Sequence, residues 1–177
     1  MQDFQSLCQQ RRSYRKYTSQ PVEQEKLDYI MRCALMSPAG KRMNPWHFVV
    51  IKNEEILRQL AGCRTYGSGM FDTAMAGIVV AADTSVIDTW QCDAAIAAQN
   101  IWLAAADQGL GACWCHVYQR EVIIIQQKIG KLRPFLGERR DSTALLRRKR
   151  SSTGSRVAFL GVFGLFGKQE RGTTEPF

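Results

Sequence analysis

The chain has 177 residues, of which 45% are hydrophobic, and its formal net charge at pH 7 is +8. This length and composition suit one domain with a buried core, so we treat 1–177 as a single domain. No apolar run is long enough to span a membrane, and the first fifteen residues lack the apolar stretch of a secretion signal. Six cysteines without a Cys-x-x-Cys pair favour reduced thiols. We therefore expect a cytoplasmic protein without a membrane partner.

The positive charge is confined to one part of the chain. Basic and acidic side chains balance over 1–119, so the whole excess lies in 120–177. Residues 123–156 are an atypical basic segment, and we expect 131–156, which has few apolar anchors, to be mobile or loosely packed. Nucleic-acid binding through 139–156 is an alternative that salt dependence would test. The segment lacks interleaved aromatic side chains for base stacking, so nucleic acid is not the expected partner.

The first third of the chain predicts two helices, a strand and a further short helix. Apolar residues at helical spacing indicate a helix within 3–12. Over 22–36 apolar residues recur every three or four positions, which predicts an amphipathic helix that ends at 37–40, where a proline and a glycine follow. A buried, β-branched strand over 47–52 and a short helix over 53–63 come next.

The middle of the chain predicts a strand, a long helix and another strand. Residues 75–83 are apolar on both faces, as in a core strand. The helix over 88–108 is rich in alanine, and small side chains let helix axes approach closely, so we expect it to be buried, with a partner subunit as one candidate neighbour. Gly109 suits a left-handed helix cap. We expect a strand over 112–118 and a final strand over 157–166.

The most informative candidate segment for ligand binding follows the first helix. It contains Arg11, Arg12, Ser13 and Arg15. Guanidinium groups match the geometry of phosphate and of carbonyl oxygens, and a hydroxyl can add a hydrogen bond. The alternative is a solvated basic helix end, where arginine interacts favourably with the helix dipole.

The turn at 37–46 is a second candidate. It connects a helix to a buried strand, so its backbone N–H and C=O groups lie near the core and can contact the edge of a flat heterocycle. The alternative is an ordinary connection in which Trp46 only anchors the strand in the core.

A third candidate segment is 109–116, in which glycines at 109 and 111 permit close approach of a ligand ring. Cys113, Cys115 and His116 also suggest a metal site, but a second ligand pair at zinc spacing is missing. Alternation along a strand places the two cysteines on one face and His116 on the other. We therefore interpret the cysteines as buried small hydrophobes.

Several enzyme classes lack their motifs in this sequence. We find no Gly-x-Ser-x-Gly elbow, no Walker loop and no His-Glu-x-x-His pattern. The Gly-Leu-Gly at 109–111 ends a helix instead of opening one, so it is not a dinucleotide-binding fingerprint. The scarcity of acid–base groups fits a mechanism in which a cofactor performs the chemistry, and we predict no catalytic side chain and no metal.

Short motifs follow one another in a fixed order along 4–118. They are Arg11-Arg12-Ser13-x-Arg15, Pro21, Ser37-Pro38-x-Gly40, Pro45-Trp46-x-Phe48, and Asp93-x6-Asn100-x-x-Leu103-x-Ala105 leading to Gly109-Leu110-Gly111-Ala112-x-Trp114. In order and spacing this set resembles the nitroreductase family of FMN enzymes. The resemblance implies an α+β fold, with a central, mostly antiparallel sheet flanked by helices. It also implies an intertwined homodimer with two FMN sites at the subunit interface.

The resemblance also implies roles for individual residues. Arg11, Arg12, Ser13 and Arg15 would hold the phosphate and the pyrimidine edge of the flavin. The partner chain would line the ring with Pro38, Ala39 and Gly40. Arg42 and Asn44 stand where the family often has Asn and Gln, and both keep hydrogen-bonding capacity.

Two further sets of contacts follow from the same resemblance. The backbone around Cys115 and His116 would approach the flavin N5 and tune its reduction. Lys168 and Arg171, which follow a glycine-rich apolar stretch, are candidates for the phosphate. Residues 123–156 depart from the family pattern.

The implied activity is electron transfer from NADH or NADPH through FMN to a small-molecule acceptor by a ping-pong mechanism. Nitroaromatics, quinones and similar compounds are candidate acceptors, and the sequence does not choose among them. The alternative is a flavin-binding or redox-sensing protein with little turnover.

Overall fold

The computed structural model describes residues 3–118, 143–146 and 157–167. Its α-helices are α1 (Phe4–Gln10), α2 (Gln24–Leu35), α3 (Glu54–Ala61) and α4 (Trp90–Asp107). Its strands are β1 (Trp46–Ile51), β2 (Ala76–Asp83), β3 (Leu110–His116), β4 (Thr143–Leu146) and β5 (Val157–Gly167). Short 3-10 turns cover Gly40–Arg42 and Gly69–Asp72. No helix within these described ranges is long and apolar enough to cross a membrane.

The strands form one sheet in the order β3-β5-β2-β1-β4, and each neighbouring pair is antiparallel. Strand β2 is buried along its whole length, which is why its sequence is apolar on both faces. Strand β5 lies between β2 and β3 and pairs with both of them. The predicted α+β class with an antiparallel sheet flanked by helices is confirmed.

The sheet separates two hydrophobic cores. Helices α2 and α4 cover one face, and α3 with the Gly69–Asp72 turn covers the other. Because successive strand residues point to opposite faces, β1 contributes to both cores: Phe48 and Val50 lie on the α4 side, Val49 and Ile51 on the α3 side. We call these two sides the α4 face and the α3 face.

Local interactions explain where the helices begin and end. The Asp3 and Asn53 carboxyl and amide oxygens accept hydrogen bonds from the backbone N–H groups of Ser6 and Ile56, each at 3.0 Å, and so cap α1 and α3. Helix α4 ends before Gly109, whose φ of +71° is the predicted left-handed cap conformation.

Two sequence-based expectations were wrong. Within the stretch 131–156, expected to be mobile or loosely packed, Thr143–Leu146 form β4 and pair with β1. Backbone hydrogen bonds to a distant strand hold these residues, and local composition carries no signal for such pairing. The third strand begins at Leu110 instead of residue 112, because Leu110 and Gly111 already pair with β5. Residues 123–142 and 147–156 lie outside the described part.

Candidate functional site

The arginine-bearing segment 11–15 lies along β3. The Tyr14 N–H donates to the Ala112 carbonyl at 3.1 Å, and Ser13 forms an isolated parallel bridge with Ala112. A side chain at Gly111 would come within 3.2 Å of the Tyr14 ring. Gly111 therefore makes room for Tyr14, whereas the sequence had suggested that this glycine leaves space for a ligand ring.

The arginines of this segment divide between the two faces of the sheet. The Arg11 guanidinium lies 4.4 Å from the centre of the Trp102 ring, on the α4 face, in a cation–π contact. Arg15 lies on the α3 face, where its charge acts on the thiol of Cys113 and on Tyr17. Burial nevertheless raises the pKa of both of these groups. The Arg11 side chain thus already has a contact within the protein, the Trp102 ring, whereas the Arg15 side chain is exposed to solvent.

Arg12 and Ser13 lie between these two arginines and are exposed. Arg12 borders a small cleft with Arg11, Tyr14 and Trp102. The segment therefore presents cationic and hydroxyl donors to solvent along one edge of the sheet, which is the donor set expected for an anionic ligand.

The second candidate segment, the loop at 37–44, has an unusual backbone. Lys41, Arg42 and Asn44 have φ values of 51°, 58° and 48°, in the left-handed region that L-residues rarely adopt. Such conformations persist only where surrounding contacts impose them, and they concentrate at functional sites. Pro38, Lys41 and Arg42 are exposed, so the loop projects these residues from the body of the domain.

Helix α4 holds this loop at two points. The Gly40 N–H donates to the Asp93 carboxylate at 3.0 Å, and the Asn100 amide donates to the Ser37 hydroxyl at 2.8 Å. A side chain at Gly40 would come within 2.9 Å of Ile87 and Thr89, so any larger residue would push the ends of these two side chains aside. Asp93 is 4% exposed, and its second carboxylate oxygen has no hydrogen-bond partner in the described structure.

Sequence reasoning cited Asp93 and Asn100 only as parts of a motif and assigned them no role. A signal was present, because each is a polar side chain in an otherwise alanine-rich, apolar helix. Polar groups that are buried or partly buried in this way need hydrogen-bond partners, and the nearby loop supplies one for each: the Gly40 N–H for Asp93 and the Ser37 hydroxyl for Asn100.

The third candidate segment is β3. Cys113 and Cys115 are buried on the α3 face, and His116 is exposed, as alternation predicted. Opposite this strand, a side chain at Gly161 would overlap the indole of Trp114, so β5 needs glycine there. Lys168 and Arg171 lie outside the described residues.

One chain does not bring the three segments together around a single point. Arg11 contacts Trp102, whereas Ser37 is bonded to Asn100, and residues two apart on a helix lie about 200° apart around its axis. Gly40 is bonded to Asp93, about 14 Å further along the helix from Trp102 at 1.5 Å per residue. The segments 11–15 and 37–44 therefore lie on different sides of α4.

These features define an α+β protein whose candidate binding residues lie on strand β3, on a segment held by β3 and on a loop held by α4. A family model described as "Nitroreductase family" matches residues 8–64 and 63–137. A protein of Archaeoglobus fulgidus named "Putative NADH dehydrogenase/NAD(P)H nitroreductase" is 33% identical over 141 residues, covering 77% of this chain and 78% of that protein. A protein of Methanothermobacter thermautotrophicus with the same name is 40% identical over 114 residues, covering 63% of this chain and 59% of that protein.

The solved structures agree with the sequence matches. An FMN-dependent nitroreductase from Clostridium difficile superposes with a TM-score of 0.77 at 29% identity, covering 96% of this chain and 90% of that one. The chain belongs to the nitroreductase family. The resemblance found in the short motifs is thereby confirmed.

Proposed function

We propose that this chain is an FMN-dependent oxidoreductase that takes electrons from NADH or NADPH and passes them to a small-molecule acceptor. Membership of the nitroreductase family supports oxidoreductase chemistry. The names of the relatives point in the same direction: one is an FMN-dependent nitroreductase, and two carry NAD(P)H nitroreductase in their names. When bound, FMN supplies the redox chemistry, and the chain supplies binding, orientation and electrostatics.

The donor set along β3 is the observation that carries the proposal. Exposed Arg12 and Arg15 and the hydroxyl of Ser13 lie in one short segment fixed to the strand by Tyr14. Guanidinium and hydroxyl donors fit the phosphate and the carbonyl oxygens of a flavin mononucleotide. We assign Arg11 a smaller direct role, because its guanidinium already lies on the Trp102 ring. The backbone of Cys115 and His116 and the side chains of Lys168 and Arg171 complete the proposed set.

The second half of the proposed site comes from a partner chain. Pro38, Ala39 and Gly40 lie on a different side of α4 from the arginine segment, so they reach a shared ligand more readily from a second copy of the chain. Met36, just before the 37–44 loop, and Met43, within it, are 74% and 42% exposed. Apolar side chains exposed beside a rigid loop favour burial against a partner. We therefore propose a homodimer in which Arg42 and Asn44 also approach the ligand.

We also propose a ping-pong order, in which the nicotinamide donor binds beside the flavin first and the acceptor takes the same place after the donor leaves. Nitroaromatics and quinones are flat acceptors of the right chemical class. No side chain among the candidate residues is assigned a proton-transfer role.

Absorbance and steady-state kinetics test the proposal. The purified chain should show flavin absorbance, or gain it on incubation with FMN, and NADH or NADPH should bleach these bands without oxygen. With a quinone as acceptor, double-reciprocal plots should give parallel lines. Protein that stays colourless after incubation with FMN contradicts the proposal. Bleaching without steady-state turnover with any acceptor favours the redox-sensing alternative instead.

A further inference from the structure

The loop at 37–44 carries two neighbouring positive charges, Lys41 and Arg42. Both side chains are exposed, and neither forms an ion pair within the described part of the chain. The sequence contains no aspartate or glutamate from residue 29 to residue 53, a stretch that includes the whole loop. The solvent side of the loop is therefore positively charged. The proposed flavin contacts include Arg42 but give Lys41 no role.

The backbone of the loop holds these two charges in a preformed turn. Lys41 and Arg42 both have left-handed φ values, 51° and 58°. The Arg42 N–H donates to the Ala39 carbonyl at 3.1 Å, and the Met43 N–H donates to the Gly40 carbonyl at 3.0 Å. The turn is thus closed by its own hydrogen bonds before any ligand arrives. A preformed turn loses less conformational freedom on binding, which favours a role in recognition.

Asp93 contacts the loop from its buried side and does not cover the two cations. Its carboxylate accepts the Gly40 N–H at 3.0 Å, and the residue is only 4% exposed. Helix α4 therefore fixes the loop from beneath, while the Lys41 and Arg42 side chains stay in contact with solvent. An anion that approaches from solvent meets the two cations and not the carboxylate.

The two proposed electron donors differ by one anionic group. NADPH carries a phosphate on its adenosine ribose, where NADH has a hydroxyl. In dinucleotide sites, an acidic side chain that hydrogen-bonds this hydroxyl goes with NADH, whereas an arginine accommodates the phosphate of NADPH. A phosphate monoester has a charge of about −1.5 to −2 at pH 7, which suits two adjacent cations. A loop with two cations and no acidic residue has the composition that NADPH requires.

We propose that Lys41, together with Arg42, binds the ribose phosphate of NADPH and makes NADPH the preferred electron donor. This inference rests on the proposed function, in which the loop of a second copy lines the flavin ring with Pro38, Ala39 and Gly40. The nicotinamide lies on that ring when it transfers hydride, so the loop residues that follow Gly40 border the rest of the dinucleotide. Lys41 determines donor specificity and takes no part in the hydride transfer itself.

The first test measures binding without turnover. Adenosine 2′,5′-bisphosphate and 5′-AMP differ by the phosphate in question. In calorimetric titrations of the full chain incubated with FMN, the bisphosphate should bind at least about tenfold more tightly, as expected for a charge-assisted hydrogen bond. Lys41→Ala should remove most of this difference, and Lys41→Arg should keep it. Arg32→Ala removes an exposed cation of α2 from the same acid-free stretch and is the matched control, which should also keep it.

The second test compares the two donors directly. Anaerobic stopped-flow reduction of the bound flavin should favour NADPH over NADH by about tenfold or more in the ratio of rate to dissociation constant. Lys41→Ala should bring this ratio close to one, and Lys41→Glu should reverse the preference. Because the loop is exposed, a higher salt concentration should also weaken the preference for NADPH.

Three outcomes overturn the inference. They are equal reduction by NADPH and NADH in the unsubstituted chain, equal effects of Lys41→Ala and Arg32→Ala on the ratio, and a loop that recognises an anionic acceptor instead. The third outcome is recognised by oxidising the reduced flavin with a neutral and a sulfonated quinone: Lys41→Ala would then slow only the sulfonated quinone and leave the donor ratio unchanged. If neither nucleotide reduces the flavin, the proposed oxidoreductase activity is contradicted, and the binding titration decides the inference separately.

Discussion

The two faces of the sheet are built differently and carry different chemistry. On the α4 face, an 18-residue helix packs through alanines and holds the 37–44 loop with two polar side chains, the buried Asp93 and the partly buried Asn100. On the α3 face, an 8-residue helix and a turn cover a smaller core that contains Cys63, Cys113 and Cys115. A long, tightly packed helix can fix a loop in a strained conformation, whereas a short helix with an adjoining turn leaves room for local opening.

The two faces therefore have different proposed roles. The α4 face positions the proposed ligand-binding loops, and the α3 face holds the thiols that the proposed electron transfer does not use. The segment 11–15 joins the two, because Arg11 contacts the α4 face and Arg15 the α3 face.

The largest expected effect comes from the centre of the α4 face. Phe163 is fully buried, and its ring centre lies 6.0 Å from that of Trp102 and 5.5 Å from that of Trp114. Phe163→Ala should lower the free energy of unfolding by about 3–5 kcal/mol, since it removes an aromatic side chain and leaves a cavity. Urea denaturation measures the change. Leu60→Ala, on the α3 face, is the control and should cost less; an equal or larger loss there would contradict the proposed difference between the faces.

Arg15 tests the ligand-binding part of the α3 face. Arg15→Ala should weaken FMN binding by roughly tenfold to a hundredfold, as expected for loss of a charge-assisted hydrogen bond of about 1.5–3 kcal/mol. Fluorescence titration with FMN measures the dissociation constant. Lys16→Ala removes an adjacent exposed positive charge and should change it little. Equal losses in the two variants would mean that only general positive charge matters.

Asp93 tests whether the α4 face positions the loop. Asp93→Ala removes the acceptor of the Gly40 N–H, and we expect FMN binding weaker by about tenfold, or roughly 1–2 kcal/mol. We expect a loss of FMN binding no larger than this, because the substitution also removes a buried carboxylate oxygen that has no hydrogen-bond partner in the described structure. Asp93→Asn keeps an acceptor and should bind more tightly than Asp93→Ala. The same titration applies, and a loss equal in both variants would show that the negative charge, not the hydrogen bond, is required.

Local pattern was sufficient for the elements whose structure depends on neighbouring residues. Helix α2 followed from apolar residues at helical spacing, and Leu27, Ile30, Met31 and Ala34 are its buried side chains. Alternation along β3 likewise placed Cys115 inside and His116 outside.

Features that depend on distant residues were not predictable in this way. Strand β4 exists through its pairing with β1, and Asp93 and Asn100 bond residues 53 and 63 positions away. In each case one partner has an ordinary local sequence, so only the fold reveals the contact.

The smallest expected effect concerns the cap of α3. The Asn53 side chain accepts a hydrogen bond from the Ile56 N–H at 3.0 Å, and Asn53→Ala should lower the free energy of unfolding by only about 1 kcal/mol. Asn53→Asp keeps the acceptor and is the control. Because α3 covers the core that contains Cys63, loss of the cap should also increase helix fraying. The Cys63 thiol should then react faster with a thiol reagent at urea concentrations below the unfolding transition, while the fluorescence of the tryptophans on the α4 face stays unchanged. If thiol reactivity rises only together with global unfolding, the α3 face does not open on its own and the two faces form one cooperative unit.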